Sequence, residues 1–417
     1  MVEIDRAASN GSPEARLSST RMAAPATAGL YSGAFWLIFC ATFAINVSNN
    51  LFVLLPLLIL RMGGSAATIG ALMGTGSLGA LLVRPAAGPF IDRFGNRRLS
   101  LVLLLAEALA MMLYIPLASL GWAFFGVRVL HGMLDGTARV ALFALVYEIL
   151  PAGRQGQAMA TFTLSGIAPA SFAPLAGEVI IRHWGFGALF IVAAALALVG
   201  AAALAIAPHE RALNRHAIES RPSGPPPGYP QLLTDAALMP YWIATLAFAL
   251  ALSSRTSFVV AYAELCGIRN VGWYFAIYSA VAVALRLSGH LLDSFGLDRA
   301  LKVSLAVMAA GIGLIAGTNI AGMLYLAAAI GGLGHGFAYP ALTALVVRHT
   351  GDGAARSARV STIYTSLWDV SSMIGPYALG VIAHSIGYGP MFVIAGAVGL
   401  SGALYLGIRP NGELRAG

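Results

Sequence analysis

Four residues in one apolar stretch are able to do chemistry. In "AFFGVRVLHGMLDGTARVALFALVYEIL" the body of the stretch carries Arg128, His131, Asp135 and Arg139, spaced 3, 4 and 4 apart, well before the Glu148 at its end. At about 100° per residue that spacing gathers them within an arc of about 80° on one helix face. A carboxyl flanked by guanidiniums can bind and release a proton or hold an ion pair, and Asp135 and Arg139 are one turn apart, close enough to bridge each other. A charge at a bilayer centre costs roughly 3 to more than 10 kcal/mol, so this face is expected to line a wet cavity or to pair inside the bundle.

Other polar positions interrupt apolar stretches. Asn46, Asn49 and Asn50 fall in the first stretch, and Arg255 occupies the matching place of the seventh inside a Ser/Thr run. Asp369 lies midway along "STIYTSLWDVSSMIGP" and is either a second proton site or a hydrogen-bond partner of a neighbouring Ser or Thr. Glu107 is one-third of the way into its stretch and has no obvious partner. His335 and Tyr339 either face a cavity or belong to the close packing that the glycine-rich "GGLGHG" favours. Arg84 and Arg286 hold near-equivalent places at the ends of the second and eighth stretches and are expected to brace the loops there. Glu178 is expected at a membrane interface, where a charge is cheap.

The elements that must position these groups follow from composition. The 417 residues are 58% hydrophobic and only 10% charged, with a mean hydropathy of +0.79. That charge is well under the roughly 25% of soluble domains. An all-α polytopic membrane protein is the reading, because the chain runs apolar for about 20 residues at a time instead of alternating as a β-barrel would. Twelve such spans start near Phe35, Thr68, Leu99, Ala123, Ala158, Ala188, Tyr241, Gly272, Ala300, Gly322, Thr362 and Met391. With the N-terminus inside, seventeen of the 25 basic residues fall in the tails and loops on the cytoplasmic side. The positive-inside rule then places both termini in the cytoplasm and turns the net charge of +8 into a topology signal, with no nucleic-acid partner implied. The expected organisation is a polar tail over 1–32 without a cleaved signal peptide, a six-helix half over 33–207, a charged, proline-rich linker over 208–236, a second half over 237–408, and a tail over 409–417.

The two halves read as a repeat. "GPFIDRFGNRR" (Gly88 to Arg98) returns as "GHLLDSFGLDR" (Gly289 to Arg299), so that Gly88, Asp92 and Gly95 match Gly289, Asp293 and Gly296. His131-Gly132 matches His335-Gly336, and Trp36 matches Trp242. The first copy resembles the loop signature of the major facilitator superfamily, G-x-x-x-D-[RK]-x-G-[RK]-[RK], through Gly88, Asp92, Arg93, Gly95 and Arg97, with Asn96 where a basic residue is usual. The resemblance covers about Phe35 to Ile408. It implies twelve helices in two pseudo-symmetric halves, a cavity lined by helices 1, 4, 7 and 10, and a cytoplasmic latch built from the loop charges. Gly88 is expected to let its helix end close against a neighbour, and Gly95 to supply a turn.

The resemblance also implies function. Arg128 with Gly132 is similar to the family's fourth-helix signature, associated with proton-coupled efflux, whereas "APLAGE" keeps Pro174 and Gly177 but has Ala173 and Glu178 where the antiporter signature has glycines. No Walker loop, Gly-x-Ser-x-Gly elbow or metal-spaced histidine cluster is present, and the two cysteines form no framework, so neither an enzyme nor a cofactor is expected. The expectation is alternating access in a bacterial inner membrane, driven by protons and exporting a drug or metabolite, with one copy sufficient. The alternative is import or uniport of a small organic anion or zwitterion, including a metallophore-like metabolite, since five interior arginines (84, 128, 139, 255, 286) face three interior acids (107, 135, 369).

Overall fold

The computed structural model describes residues 31–150, 155–208, 228–287, 296–350 and 354–408. Among these no strand occurs. The helices are α1 (Gly33–Leu51), α2 (Leu55–Arg61), α3 (Ala66–Phe94), α4 (Asn96–Met112), α5 (Trp122–Ile149), α6 (Gln155–Ile167) and α7 (Pro169–Ile206). The expected linker over 208–236 falls mostly outside the described residues; its end holds α8 (Tyr229–Leu233), and then come α9 (Met239–Leu265), α10 (Gly272–Leu287), α11 (Leu297–Ile315), α12 (Ala321–Arg348), α13 (Ala354–Ile386) and α14 (Tyr388–Ile408).

Local chemistry sets the boundaries. The Ser32 and Ser65 hydroxyls cap α1 and α3 by accepting from the N–H groups of Phe35 and Thr68 at 3.1 and 3.2 Å. Between α1 and α2 the chain tightens into a 3-10 turn, Phe52–Leu54, just before Pro56, which has no N–H to continue the ladder and would crowd the Phe52 carbonyl. Gly95 and Gly296 take the same left-handed conformation, φ 75° with ψ 148° and 135°, and each starts the next helix. Gly185 at φ 80° divides α7 in two. A side chain at Gly177 would meet Leu189, so the chain folds back there and does not run on.

Among the described residues, seven segments are long and apolar enough to cross a bilayer by length and composition. One, Gln157–Ile206, holds the fold-back at Gly185. Of the twelve expected spans, those over α4, α10, α11 and α13 fall outside this set; α10, for instance, has only 16 described residues. Charged groups such as Glu107, Lys302 and Asp369 dilute the hydropathy of the other three.

The packing is duplicated. In the first group α1 lies on α7, α3 on α5, and α4 on both α5 and α7; in the second, α9 lies on α14, α10 on α12, and α11 on both α12 and α14. The two groups meet through α3 against α13 and α7 against α10. The face where α1 begins is here the terminal face, and its opposite the far face. Towards the far face the approach of α3 and α13 is backbone on backbone: a Cβ on Gly380 would lie 2.9 Å from the Gly70 Cα. Small residues allow such contact where lipid offers no hydrophobic drive for helix association.

Candidate functional site

The stripe on α5 forms one wall of a cavity of about 310 Å³, within the range of small-molecule sites. Arg128, His131, Asp135 and Arg139 line it together with Asn49 and Asn50 of α1, Ser77 of α3, and Thr256, Asp369 and Ser372 of the second group.

A hydrogen-bonded chain runs along the α5 wall. Arg139 is ion-paired with Asp135 Oδ2, and Asn49 Nδ2 donates to Asp135 Oδ1 at 2.8 Å. Because the Asn49 amide spends its N–H on the carboxylate, its Oδ1 faces His131 Nε2 at 3.1 Å, and that nitrogen must carry the proton. His131 Nδ1 is then the acceptor for the Tyr114 hydroxyl at 3.3 Å. Tyr114, on the turn after α4, has no mark in the sequence beyond being an aromatic in an apolar run. Glu107 of α4 stands behind this wall, fully buried, with neither carboxyl oxygen hydrogen-bonded. It lies within electrostatic reach of both Asp135 and Arg139. Arg128 Nε donates to the Leu72 carbonyl at 3.3 Å.

On the opposite wall Asp369 pairs with Arg84 of α3, and Arg84 also donates to the Thr365 hydroxyl at 2.9 Å. The partner of Asp369 is thus an arginine from the other group, and the alternative of a neighbouring Ser or Thr does not hold. Arg84 lies well inside α3, which runs on to Phe94, so it braces the two groups against each other and not the loop as expected. Asn46 does not line this cavity; it donates to the Thr42 carbonyl of its own helix at 2.8 Å, and Asn50, which does line it, donates to the Asn46 carbonyl at 2.8 Å.

Arg255, His335 and Tyr339 do not line this cavity. They gather in a second cluster within the second group. The Arg255 guanidinium lies 4.1 Å over the Tyr278 ring, the Tyr278 hydroxyl is 2.9 Å from His335 Nδ1, and Arg286 Nη2 is 3.4 Å from His335 Nε2. Arg286 also sits 5.3 Å over the Tyr339 ring, whose edge meets Trp368 at 5.6 Å.

The loop motif divides. Gly88 lies inside α3, which continues to Phe94, and nothing stands within 4 Å of a Cβ there, so the expected helix end packed on a neighbour is absent. Arg97 donates to the carbonyls of Leu204, Ala205 and Ala207 at 3.2, 3.1 and 2.6 Å, closing the C-terminus of α7 in its own group. Arg93 lies 5.4 Å over the Phe94 ring beside it. The Asp92 side chain, Gly289 and Asp293 lie outside the described residues; Gly296 is the N-terminal turn of α11.

Glu178 is more than an interfacial charge. Its Oε2 accepts the Gly272 N–H of the other group at 2.8 Å, and Arg182, 3.2 Å from Glu178 Oε1, donates to Asn270 Oδ1 at 2.6 Å. These contacts clasp the groups at the far face. The sequence offered only an acid and an arginine four residues apart.

Two duplicated helix groups enclose a polar cavity at their seam, an arrangement suited to passing a small molecule across a membrane. The Major Facilitator Superfamily profile matches residues 35–287 and 268–416, and the chain belongs to that family. Multidrug resistance protein MdtG of Salmonella dublin is 25% identical over 332 residues, 76% of this chain and 80% of that protein. The protein of the same name from Salmonella typhi is 25% identical over 338 residues, with the same shares. Among solved structures, the nucleoside transporter NupG overlays with a TM-score of 0.70 at 12% identity, covering 89% of this chain and 98% of its own. The human organic anion transporter MFSD10 does so at 0.63 and 16%, covering 90% and 99%. At such identities these two speak for the fold.

Proposed function

We propose that this secondary transporter exchanges protons for a small organic molecule and exports it. The observation that carries the reading is the placement of Asp135 on the cavity wall between Asn49 and Arg139, with the unbonded Glu107 behind it. Without the proton, Asp135 is held in the ion pair with Arg139 and the cavity takes up its cargo; an arriving proton neutralises Asp135, breaks the pair and displaces the cargo, so that proton and cargo occupy the cavity in turn. Alternating access joins this exchange to the opening of one face at a time. Two further features support the assignment. In the sequence, seventeen of the 25 basic residues fall in the tails and loops expected on one side, which fits twelve crossings with both termini in the cytoplasm of a bacterial inner membrane. The Salmonella relatives carry the name multidrug resistance protein.

The test is uphill export from proteoliposomes under an imposed pH gradient, beside gradient-free counterflow, with a panel of lipophilic dyes and organic acids. Asp135→Asn is expected to abolish the uphill movement and retain counterflow. Full uphill transport in that variant rejects the proposal.

A further inference from the structure

The Arg255 and Arg286 cluster is not used by the proton exchange, and its chemistry is one-sided. Among the described residues no carboxylate lies within ion-pairing distance of either guanidinium. The Nε of each is buried without a hydrogen-bond partner. Both stand over tyrosine rings, Arg255 over Tyr278 and Arg286 over Tyr339, which offsets part of the cost of leaving a cation unpaired. His335 adds no acceptor for a ligand. With Nε2 turned to Arg286, its Nδ1–H points at the Tyr278 oxygen, and the Tyr278 proton is left to donate elsewhere. The cluster therefore offers donors and positive charge with no built-in anion.

It also offers a flat surface next to the cavity. Trp368 is one turn from Ser372, so the two share a face of α13, and Ser372 lines the cavity. Thr256, beside Arg255, lines it as well. Tyr339 meets Trp368 edge to face and is 38% exposed. Guanidiniums hold carboxylate, sulfonate or phosphate groups through paired N–H donors, and indole and phenol rings hold flat apolar bodies.

We infer that this cluster is the substrate subsite of the second helix group, taking an aromatic organic acid whose anionic group is held by Arg255 and Arg286 and whose ring lies against Trp368 and Tyr339. The inference rests on the transport reading above and adds the sign and shape of the cargo.

The experiment is equilibrium binding to the purified full-length protein of three matched probes: 1-naphthoate, 1-naphthamide and 1-naphthylmethylammonium. Uphill dye export is measured on the same preparations. The acid is expected to bind at least tenfold more tightly than the amide, and the ammonium most weakly. Arg255→Gln and Arg286→Gln are each expected to bring the acid close to the amide, while the lysine replacements keep the preference and show that the site still folds. Trp368→Leu is expected to weaken acid and amide together. Equal binding of the three probes, preference for the ammonium, or acid affinity unchanged in both glutamine variants overturns the subsite. If export still depends on Asp135 in that case, the transport reading stands without it; if no probe binds and no dye moves, both fall.

Discussion

Arg84 of α3 and Asp369 of α13 form an ion pair that spans the seam between the two helix groups, 285 residues apart in the chain and at the edge of the cavity. Arg139 lies within electrostatic reach of Asp369 as well as Asp135, so the charges of the two walls share one field. Asp369→Ala leaves Arg84 at the seam without its carboxylate, and removing one partner of a sheltered pair is the damaging change. Export is expected to fall at least tenfold in either Arg84→Ala or Asp369→Ala. The exchanged pair, Arg84→Asp with Asp369→Arg, is expected to recover part of it. No recovery, with normal folding by gel filtration, would show that orientation at Thr365 outweighs charge.

The far-face clasp predicts a change in access. Glu178→Gln keeps shape but weakens the bond to the Gly272 N–H and the pair with Arg182, whose charged contact stands half exposed. In a background lacking Cys40 and Cys266, a cysteine at Ser372 reports which face the cavity is open to. Labelling by an impermeant maleimide from the far side is expected to rise several-fold in Glu178→Gln and more in Glu178→Ala. Unchanged labelling would mean that the Gly70–Gly380 contact alone holds the far face closed.

Much of the α5 wall was legible because helical geometry is local. Spacings of 3 and 4 put Arg128, His131, Asp135 and Arg139 on one face, and the same rule pairs Asp135 with Arg139. The repeat was legible through Gly95 and Gly296, since both needed the left-handed turn they adopt. Contacts between distant helices were not. Nothing local marks Arg84 as the partner of Asp369, Tyr114 as the end of the His131 chain, or Glu178 as a bridge to Gly272. Gly88 misled because a glycine marks both close packing and mere absence of a side chain, and there it faces open space.

Outside the membrane, acidity should loosen one tether. Asp235, in the segment leading to α9, is 2.6 Å from Arg356 near the start of α13. Burial pushes its carboxyl upward, but bonds from Arg356 and from the Ala237 N–H outweigh that and leave it below the usual carboxylate range. A folded-state value below the unfolded one stabilises above the unfolded value near 4 and is lost as pH falls through the folded value. The gain is small, below about 1 kcal/mol once solvent screening is counted. Asp235→Asn is therefore expected to lower Tm by about one degree or less at pH 7, with the difference from wild type vanishing towards pH 3. A constant difference across that range would make the tether purely steric.

The hydrogen-bonded chain on α5 predicts a tautomer. Asn49 must give its N–H to the Asp135 carboxylate, so His131 must donate from Nε2, and the Tyr114 hydroxyl fixes this by donating to Nδ1. Tyr114→Phe removes that anchor. The imidazole is then free to place its proton on Nδ1, and Nε2 and the Asn49 oxygen would meet as two acceptors. Turning the amide to relieve this would aim its oxygen at Asp135 instead. Either way one bond worth about 0.5–1.5 kcal/mol is lost, roughly a twofold to tenfold fall in proton-driven export. Dye binding should change less, because Tyr114 does not line the cavity. Nitrogen-15 spectra of the ring-labelled protein check the cause. A protonated Nε2 at His131 is expected in the wild type, and a mixture of tautomers in Tyr114→Phe. A wild-type ring protonated on Nδ1 would reverse the chain and require the Asn49 oxygen to face a protonated Asp135.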